Sequence, residues 1–62
     1  MVYSEAIKTL RKKLILSQTE FAKLLCASYA TVNRWESSHF EPTIKSKRKL
    51  APYFKKYNIE ID

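Results

Sequence analysis

Apolar residues recur every three or four positions along this chain, which is the spacing of amphipathic helices and not the alternation of strands. In the first such stretch, which Ser4 is expected to cap, the apolar positions are Ala6, Ile7, Leu10 and Leu14. Lysines and an arginine fill most of the other positions. The pattern therefore predicts a first helix whose apolar face belongs to a core.

A second helix is predicted from the signals at its start. Ser17 and Glu20 form an S-x-x-E capping box, and Leu16 and Phe21 have the spacing of a hydrophobic staple. These signals place a helix over about residues 18–25. Its buried face is expected to consist of Phe21, Ala22 and Leu25.

A third helix is predicted directly after a short turn over residues 26–28. Ser28 is the cap candidate, and the helix is expected to cover about residues 29–36. Val32 and Trp35 are three positions apart, so both face inward. The outer surface is then formed by Tyr29, Ala30, Asn33 and Arg34.

A fourth helix is predicted after a loop over residues 37–42, with Thr43 as its cap. Because Pro52 has no N–H to donate, the helix is expected to kink or to break into two near this residue. Asn58 is a candidate left-handed C-cap, with Ile59 folding back onto the helix. The apolar positions of this stretch are Ile44, Leu50, Ala51, Phe54 and Tyr57.

Length and charge restrict the possible functions. With 62 residues the chain is expected to be one domain, residues 1–62, that buries only about 60% of its unfolded surface and has little room for a catalytic cleft. Twelve Lys or Arg against six Asp or Glu give a net charge of +6. This charge favours an anionic partner, nucleic acid first and an anionic membrane surface second, while simple solubility is the alternative.

Other classes of protein find little support in the sequence. Cys26 is the only cysteine and His39 the only histidine, so neither a disulfide nor a closed zinc shell is expected, and no cofactor is implied. No paired acid and base, phosphate loop or metal set indicates an enzyme. No apolar run is long enough for a membrane span or a signal peptide. The expected location is the cytoplasm, on the nucleoid.

Two short motifs at a fixed spacing carry a family resemblance. The S-Q-x-E-F-A motif of residues 17–22 and the T-V-N-R-W-E motif of residues 31–36, followed by Pro42, resemble Cro/C1-type (XRE-like) helix-turn-helix repressors. The resemblance implies an all-α, compact four- to five-helix bundle of the lambda-repressor-like kind, with the third helix reading DNA. The chain departs from the family pattern at Cys26 and Ser38, where glycine is usual.

Matching the motif position by position gives candidate base-reading residues. Arg34 could bind guanine, Asn33 could bind adenine, and Tyr29 could contact a thymine methyl or a phosphate. The alternatives are a solvated Arg34, a Tyr29 packed on the domain, and an Asn33 that contacts phosphate only. The full base-reading set implied by the resemblance is Ser28, Tyr29, Ala30, Asn33 and Arg34.

The resemblance also implies phosphate contacts and an ion pair. Arg11 and Glu36 are expected to pair and to tie the first helix to the end of the third. The basic run over residues 45–49 is expected to add nonspecific attraction. The candidate phosphate-binding residues are Gln18, Thr31, Ser37 and Lys45.

The leading hypothesis is a sequence-specific regulator of transcription that binds double-stranded DNA and represses by occupying a palindromic operator. The alternative is an antitoxin or adaptor that uses the same helical domain to bind protein. A weak homodimer is expected, because the end of the chain has more apolar bulk than a small core easily absorbs. Tyr53 and Ile61 are expected nearer the dimer seam than Phe54, in a segment that also contains Tyr57 and Ile59. The alternative is that Phe54 and Tyr57 merely close the core of the monomer.

Overall fold

The computed structural model describes residues 1–61 and contains four α-helices with no strand in that range. Helix α2 packs against α3, and α1 packs against both α3 and α4. The all-α prediction is confirmed. The helices are α1 (Tyr3–Leu14), α2 (Gln18–Leu24), α3 (Tyr29–Glu36) and α4 (Ile44–Lys56).

One apolar core joins all four helices. Phe21, Ile7, Leu10, Leu50 and Val32 are its largest fully buried side chains. The residues that were predicted to face the core in the first three helices do so, although Leu14 is only partly buried at the edge of the core. The remaining core residues are Ala6, Ala22, Leu25, Trp35, Phe54 and Ile59.

The predicted cap of α1 is wrong. The helix begins at Tyr3, its N-cap is Val2, and no side chain caps it. The Val2 carbonyl accepts the Ala6 amide at 2.9 Å, which places Ser4 inside the first turn. The Tyr3 ring lies 6.3 Å from the Phe54 ring, so tertiary packing favours the earlier start.

The predicted caps of α2 and α3 are confirmed. The Ser17 hydroxyl accepts from the Glu20 amide at 3.1 Å, and the Glu20 carboxylate accepts from the Ser17 amide at 2.9 Å. That backbone hydrogen bond is the main cause that lowers the pKa of Glu20 below its ordinary value. At α3 the Ser28 hydroxyl accepts from the Thr31 amide at 3.1 Å.

Helix α4 is one continuous helix that contains Pro52, so the predicted alternative of a break into two helices is wrong. Leu50 and Phe54 on either side of the proline are buried in the core. Of the other apolar residues of this helix, Ile44 and Ala51 are exposed. Ile44 lies six positions before Leu50, roughly a third of a turn away from it round the helix. The Thr43 cap is confirmed, with its hydroxyl 3.3 Å from the Ser46 amide.

All four helices are followed by a non-glycine residue in the left-handed conformation. These residues are Ile15, Cys26, Ser38 and Asn58, with φ between 56° and 63°. In each case the next residue donates its amide to a carbonyl five positions earlier, as Ala27 does to Ala22 at 2.8 Å. The predicted left-handed conformation of Asn58 is confirmed, although the C-cap is the preceding residue, Tyr57. Cys26 adopts the left-handed conformation without being glycine.

The end of the chain contributes to the monomer core. Ile59 folds back, donating its amide to the Phe54 carbonyl at 2.8 Å, and both side chains are buried. Tyr53, Tyr57 and Ile61 are partly buried against the same core. Much of the apolar bulk assigned to a dimer seam is therefore used within one chain.

Candidate nucleic-acid interface

Helix α3 has an inner face held by the core and an outer face open to solvent. Val32 and Trp35 are buried, and so is Glu36 at its end. The other side of the same helix carries exposed side chains, with Tyr29 53% exposed. The structure thus brings four of the five predicted base-reading residues onto one exposed surface, namely Tyr29, Ala30, Asn33 and Arg34.

The hydroxyls at the start of α3 are occupied by capping. Besides accepting from the Thr31 amide, the Ser28 hydroxyl lies 2.8 Å from the Thr31 hydroxyl. Ser28 is exposed and adjoins the outer face. Because its hydroxyl already makes these hydrogen bonds within the helix, Ser28 is less able to bind a base edge.

Arg34 has an aromatic neighbour that the sequence did not indicate. Its guanidinium carbon lies 5.6 Å from the centre of the Phe40 ring, within the range of a cation–π contact. Phe40 is 60% exposed in the loop between α3 and α4. A large apolar side chain at a loop position was the only available signal for it.

Gln18 lies between two helices at the edge of this surface. Its Nε2 donates to Glu36 Oε1 at 3.1 Å, and its Oε1 accepts from Asn33 Nδ2 at 3.4 Å. The motif comparison offered Gln18 and Asn33 as separate DNA contacts. It gave no sign that their amides bind each other across α2 and α3.

Arg11 and Glu36 form a two-point ion pair. Arg11 Nε lies 2.7 Å from Glu36 Oε2 and Nη2 lies 3.0 Å from Oε1. Arg11 Nη1 also donates to the Leu16 carbonyl at 3.1 Å. The Glu36 side chain is 4% exposed, and its hydrogen bond is the main cause that raises the pKa of Arg11 above its usual value.

The basic run at the start of α4 is partly used within the domain. Lys49 Nζ donates to the Leu25 carbonyl at 3.0 Å. Lys47 lies 4.9 Å from the centre of the Tyr3 ring and 3.8 Å from Glu41. Lys45 and Arg48 are exposed and form no hydrogen bond, ion pair or ring contact with residues 1–61. They are the cations of this run that remain available to a partner.

Ser37, a candidate phosphate contact, lies at the periphery together with the single cysteine and the single histidine. Ser37 is exposed at the end of α3, and its hydroxyl donates to the Asn33 carbonyl at 2.8 Å. Cys26 is an exposed turn residue and not a core residue. His39 is exposed beside a groove that also involves Trp35 and Phe40. No cluster of three or more His, Cys, Asp or Glu in residues 1–61 could hold a metal.

Comparison with known proteins agrees with this geometry. The helix-turn-helix family model matches residues 7–60, which is most of the chain. The chain therefore belongs to the Cro/C1-type, XRE-like helix-turn-helix family. No curated protein and no solved structure gives a significant match.

Membership of this family shows that the protein is a regulator that binds double-stranded DNA. The short turn between α2 and α3 and the exposed outer face of α3 agree with membership of a helix-turn-helix family. None of the four helices in residues 1–61 combines the length and the apolarity needed to cross a membrane.

Proposed function

We propose that the protein is a sequence-specific transcriptional regulator that reads the major groove with α3 and represses by occupying an operator. The observation that carries this proposal is the two-sided α3. Its buried face fixes the helix on the core, while Tyr29, Ala30, Asn33 and Arg34 share the opposite, exposed face. A recognition helix requires this division, because base edges are reached only by side chains that the core does not use.

The outer face of α3 has suitable chemistry for base recognition. Arg34 offers a forked donor for guanine O6 and N7, and Asn33 offers a donor and an acceptor for adenine N7 and N6. Ala30 allows close approach and offers a methyl group for thymine. Tyr29 extends from the first turn, where it can contact a thymine methyl or a phosphate.

Phosphate contacts position the domain without reading sequence. Lys45 is exposed at the start of α4 and forms no hydrogen bond, ion pair or ring contact within residues 1–61. Gln18 keeps one N–H beyond the one it gives to Glu36, because an amide nitrogen has two donors. Thr31 and Ser37 complete the proposed set, each through a hydroxyl near one end of α3. To donate to a phosphate, the Ser37 hydroxyl would have to release the Asn33 carbonyl that it binds in the free domain.

The net charge of +6 adds attraction that does not depend on sequence. Each phosphate neutralised by a lysine or arginine releases counterions, so affinity is expected to fall steeply with salt. We infer that the protein acts in the cytoplasm on the nucleoid, as a weak homodimer on a palindromic site. Two copies would meet half-sites about 34 Å apart.

Selection of bound duplexes from a random pool at a stated salt concentration tests the proposal. Enrichment of a palindrome is expected, with adenine and guanine within each half-site. The Arg34→Ala variant, selected in parallel, should lose the preference at one base pair. A pool that remains random for the wild-type protein, despite measurable binding, would contradict sequence-specific regulation and favour a nonspecific or protein-binding role.

A further inference from the structure

Four polar side chains form a continuous line from a partly buried ion pair to the outer face of α3. The line starts at Arg11, passes through Glu36 and Gln18, and ends at the exposed Asn33. The successive donor–acceptor distances are 3.0 Å from Arg11 Nη2 to Glu36 Oε1, 3.1 Å from Gln18 Nε2 to the same oxygen, and 3.4 Å from Asn33 Nδ2 to Gln18 Oε1.

The direction of every bond in this line is determined at its buried end. A guanidinium only donates and an ionised carboxylate only accepts. Because Glu36 only accepts, Gln18 must turn its NH₂ group toward it and its oxygen outward. Asn33 can then bind that oxygen only through its own NH₂ group. Which end of each amide is oxygen and which is nitrogen therefore follows from the hydrogen-bond network.

This arrangement leaves a defined pair of groups on Asn33. One N–H is used by Gln18, whereas the second N–H and the Oδ1 acceptor remain free. A donor and an acceptor on one amide are the groups that pair with adenine N7 and N6. With the amide reversed, oxygen and nitrogen exchange places and the same adenine edge no longer fits.

We propose that Gln18 is a positioning residue that fixes the amide of Asn33 in one orientation for reading adenine, with that orientation set by the Arg11–Glu36 pair. The inference rests on the proposed function, since it concerns how a residue of α3 reads DNA. It gives Gln18 a role in specificity that is separate from any phosphate contact.

The size of the effect follows from the freedom that Gln18 removes. An unrestrained asparagine samples three χ1 wells and two amide orientations, so roughly one state in six is competent to bind. Apparent affinity falls by the competent fraction. Loss of Gln18 should therefore reduce discrimination at the base pair read by Asn33 by about three- to sixfold.

Binding constants for a set of duplexes, each altered at one base pair of the selected site, provide the test. The variants are Asn33→Ala, Gln18→Met, the double variant, and Lys45→Ala as a control that weakens all duplexes alike. Methionine retains the length and bulk of Gln18 without its hydrogen bonds. Thermal unfolding of each variant shows that it is folded.

Asn33→Ala should abolish discrimination at one base pair, and Gln18→Met should reduce it at the same base pair. The double variant should lose no more discrimination at this base pair than Asn33→Ala alone. Loss of a phosphate contact by Gln18 would weaken all duplexes equally and leave the ratios unchanged. Full discrimination retained by Gln18→Met at the Asn33 base pair would overturn the proposal.

Measurements on the DNA-free protein test the positioning role of Gln18 independently of the proposed function. If the wild-type protein discriminates no base pair, sequence-specific regulation is wrong. The side-chain NH₂ signals of Asn33 in NMR spectra of the DNA-free protein still report on the network. In Gln18→Met these signals should shift and exchange faster with water, whereas in Lys45→Ala they should not. Unchanged Asn33 signals in Gln18→Met would overturn the positioning role whatever the DNA results.

Discussion

The guanidinium of Arg11 contacts both carboxylate oxygens of Glu36, through Nε at 2.7 Å and Nη2 at 3.0 Å. This pair joins the end of α1 to the last residue of α3. The Arg11 side chain is 20% exposed and that of Glu36 only 4%. Glu36 also accepts from Gln18, so a single carboxylate connects three helices.

Replacement of Glu36 by alanine should destabilise the fold by about 2–3 kcal/mol, because it leaves the partly buried Arg11 without its partner. For a domain of this size that corresponds to a fall in Tm of roughly 15–20 °C. Thermal unfolding of Glu36→Ala, Arg11→Ala and the double variant measures the coupling. Additive losses in the double variant would mean that the two side chains do not stabilise each other.

Ile15 is a β-branched residue held at φ 56° and ψ 49° after α1, and it is 88% exposed. Left-handed backbone is costly for a residue with a Cβ atom. Ile15→Gly should therefore raise the free energy of unfolding by about 0.5–1 kcal/mol, after allowing for the entropy of glycine in the unfolded chain. Ile15→Ala removes the same exposed side chain but keeps Cβ, so it serves as the control. Equal stability of the two variants in urea unfolding would show that backbone strain is not the cause.

The capping box of α2 should respond to acid. The pKa of Glu20 is lowered in the folded protein, chiefly by the hydrogen bond from the Ser17 amide. Stability from this carboxylate is therefore complete above its unfolded pKa of about 4.3 and is lost as the pH falls through the lower folded value. Glu20→Gln keeps an acceptor oxygen but does not titrate.

The comparison of wild type with Glu20→Gln isolates this contribution. Wild type should be the more stable at pH 6, and the difference should vanish near pH 2, as followed by thermal unfolding at each pH. Ser17→Ala, which removes the other half of the box, should cost about 1 kcal/mol at pH 6. The cost should be smaller at pH 2, because the Ser17 side chain also helps to lower the pKa of Glu20. A difference between wild type and Glu20→Gln that stays constant with pH would refute the assignment.

Local signals in the sequence were sufficient to predict helices α2 and α3 and the turn between them. The capping residues Ser17 and Ser28 satisfy backbone amides within one turn, so their effect is readable from spacing alone. Tertiary packing determines instead where α1 begins and whether α4 continues through Pro52. The spacing of apolar residues along the sequence gives no information on such packing. For the same reason the sequence did not show that Phe40 contacts Arg34 or that Gln18 contacts Asn33.

The homodimer prediction now concerns a smaller surface, because Phe54 and Ile59 belong to the monomer core. Tyr53 and Ile61 remain partly exposed and are the expected seam. Sedimentation should show a monomer alone and two copies on a duplex with paired half-sites, with cooperative binding. Independent filling of the two half-sites would argue against a protein contact between the copies.

The division of labour between Arg34 and Lys45 tests the central claim most directly. Dissociation constants are measured for wild type, Arg34→Ala and Lys45→Ala on the selected duplex and its single-base-pair variants, over a series of salt concentrations. Arg34→Ala should cost about 1–3 kcal/mol on the selected duplex and remove discrimination at one base pair. Lys45→Ala should weaken all duplexes alike and reduce the salt slope by about 1. The same uniform loss from both changes would contradict the reading of DNA by α3.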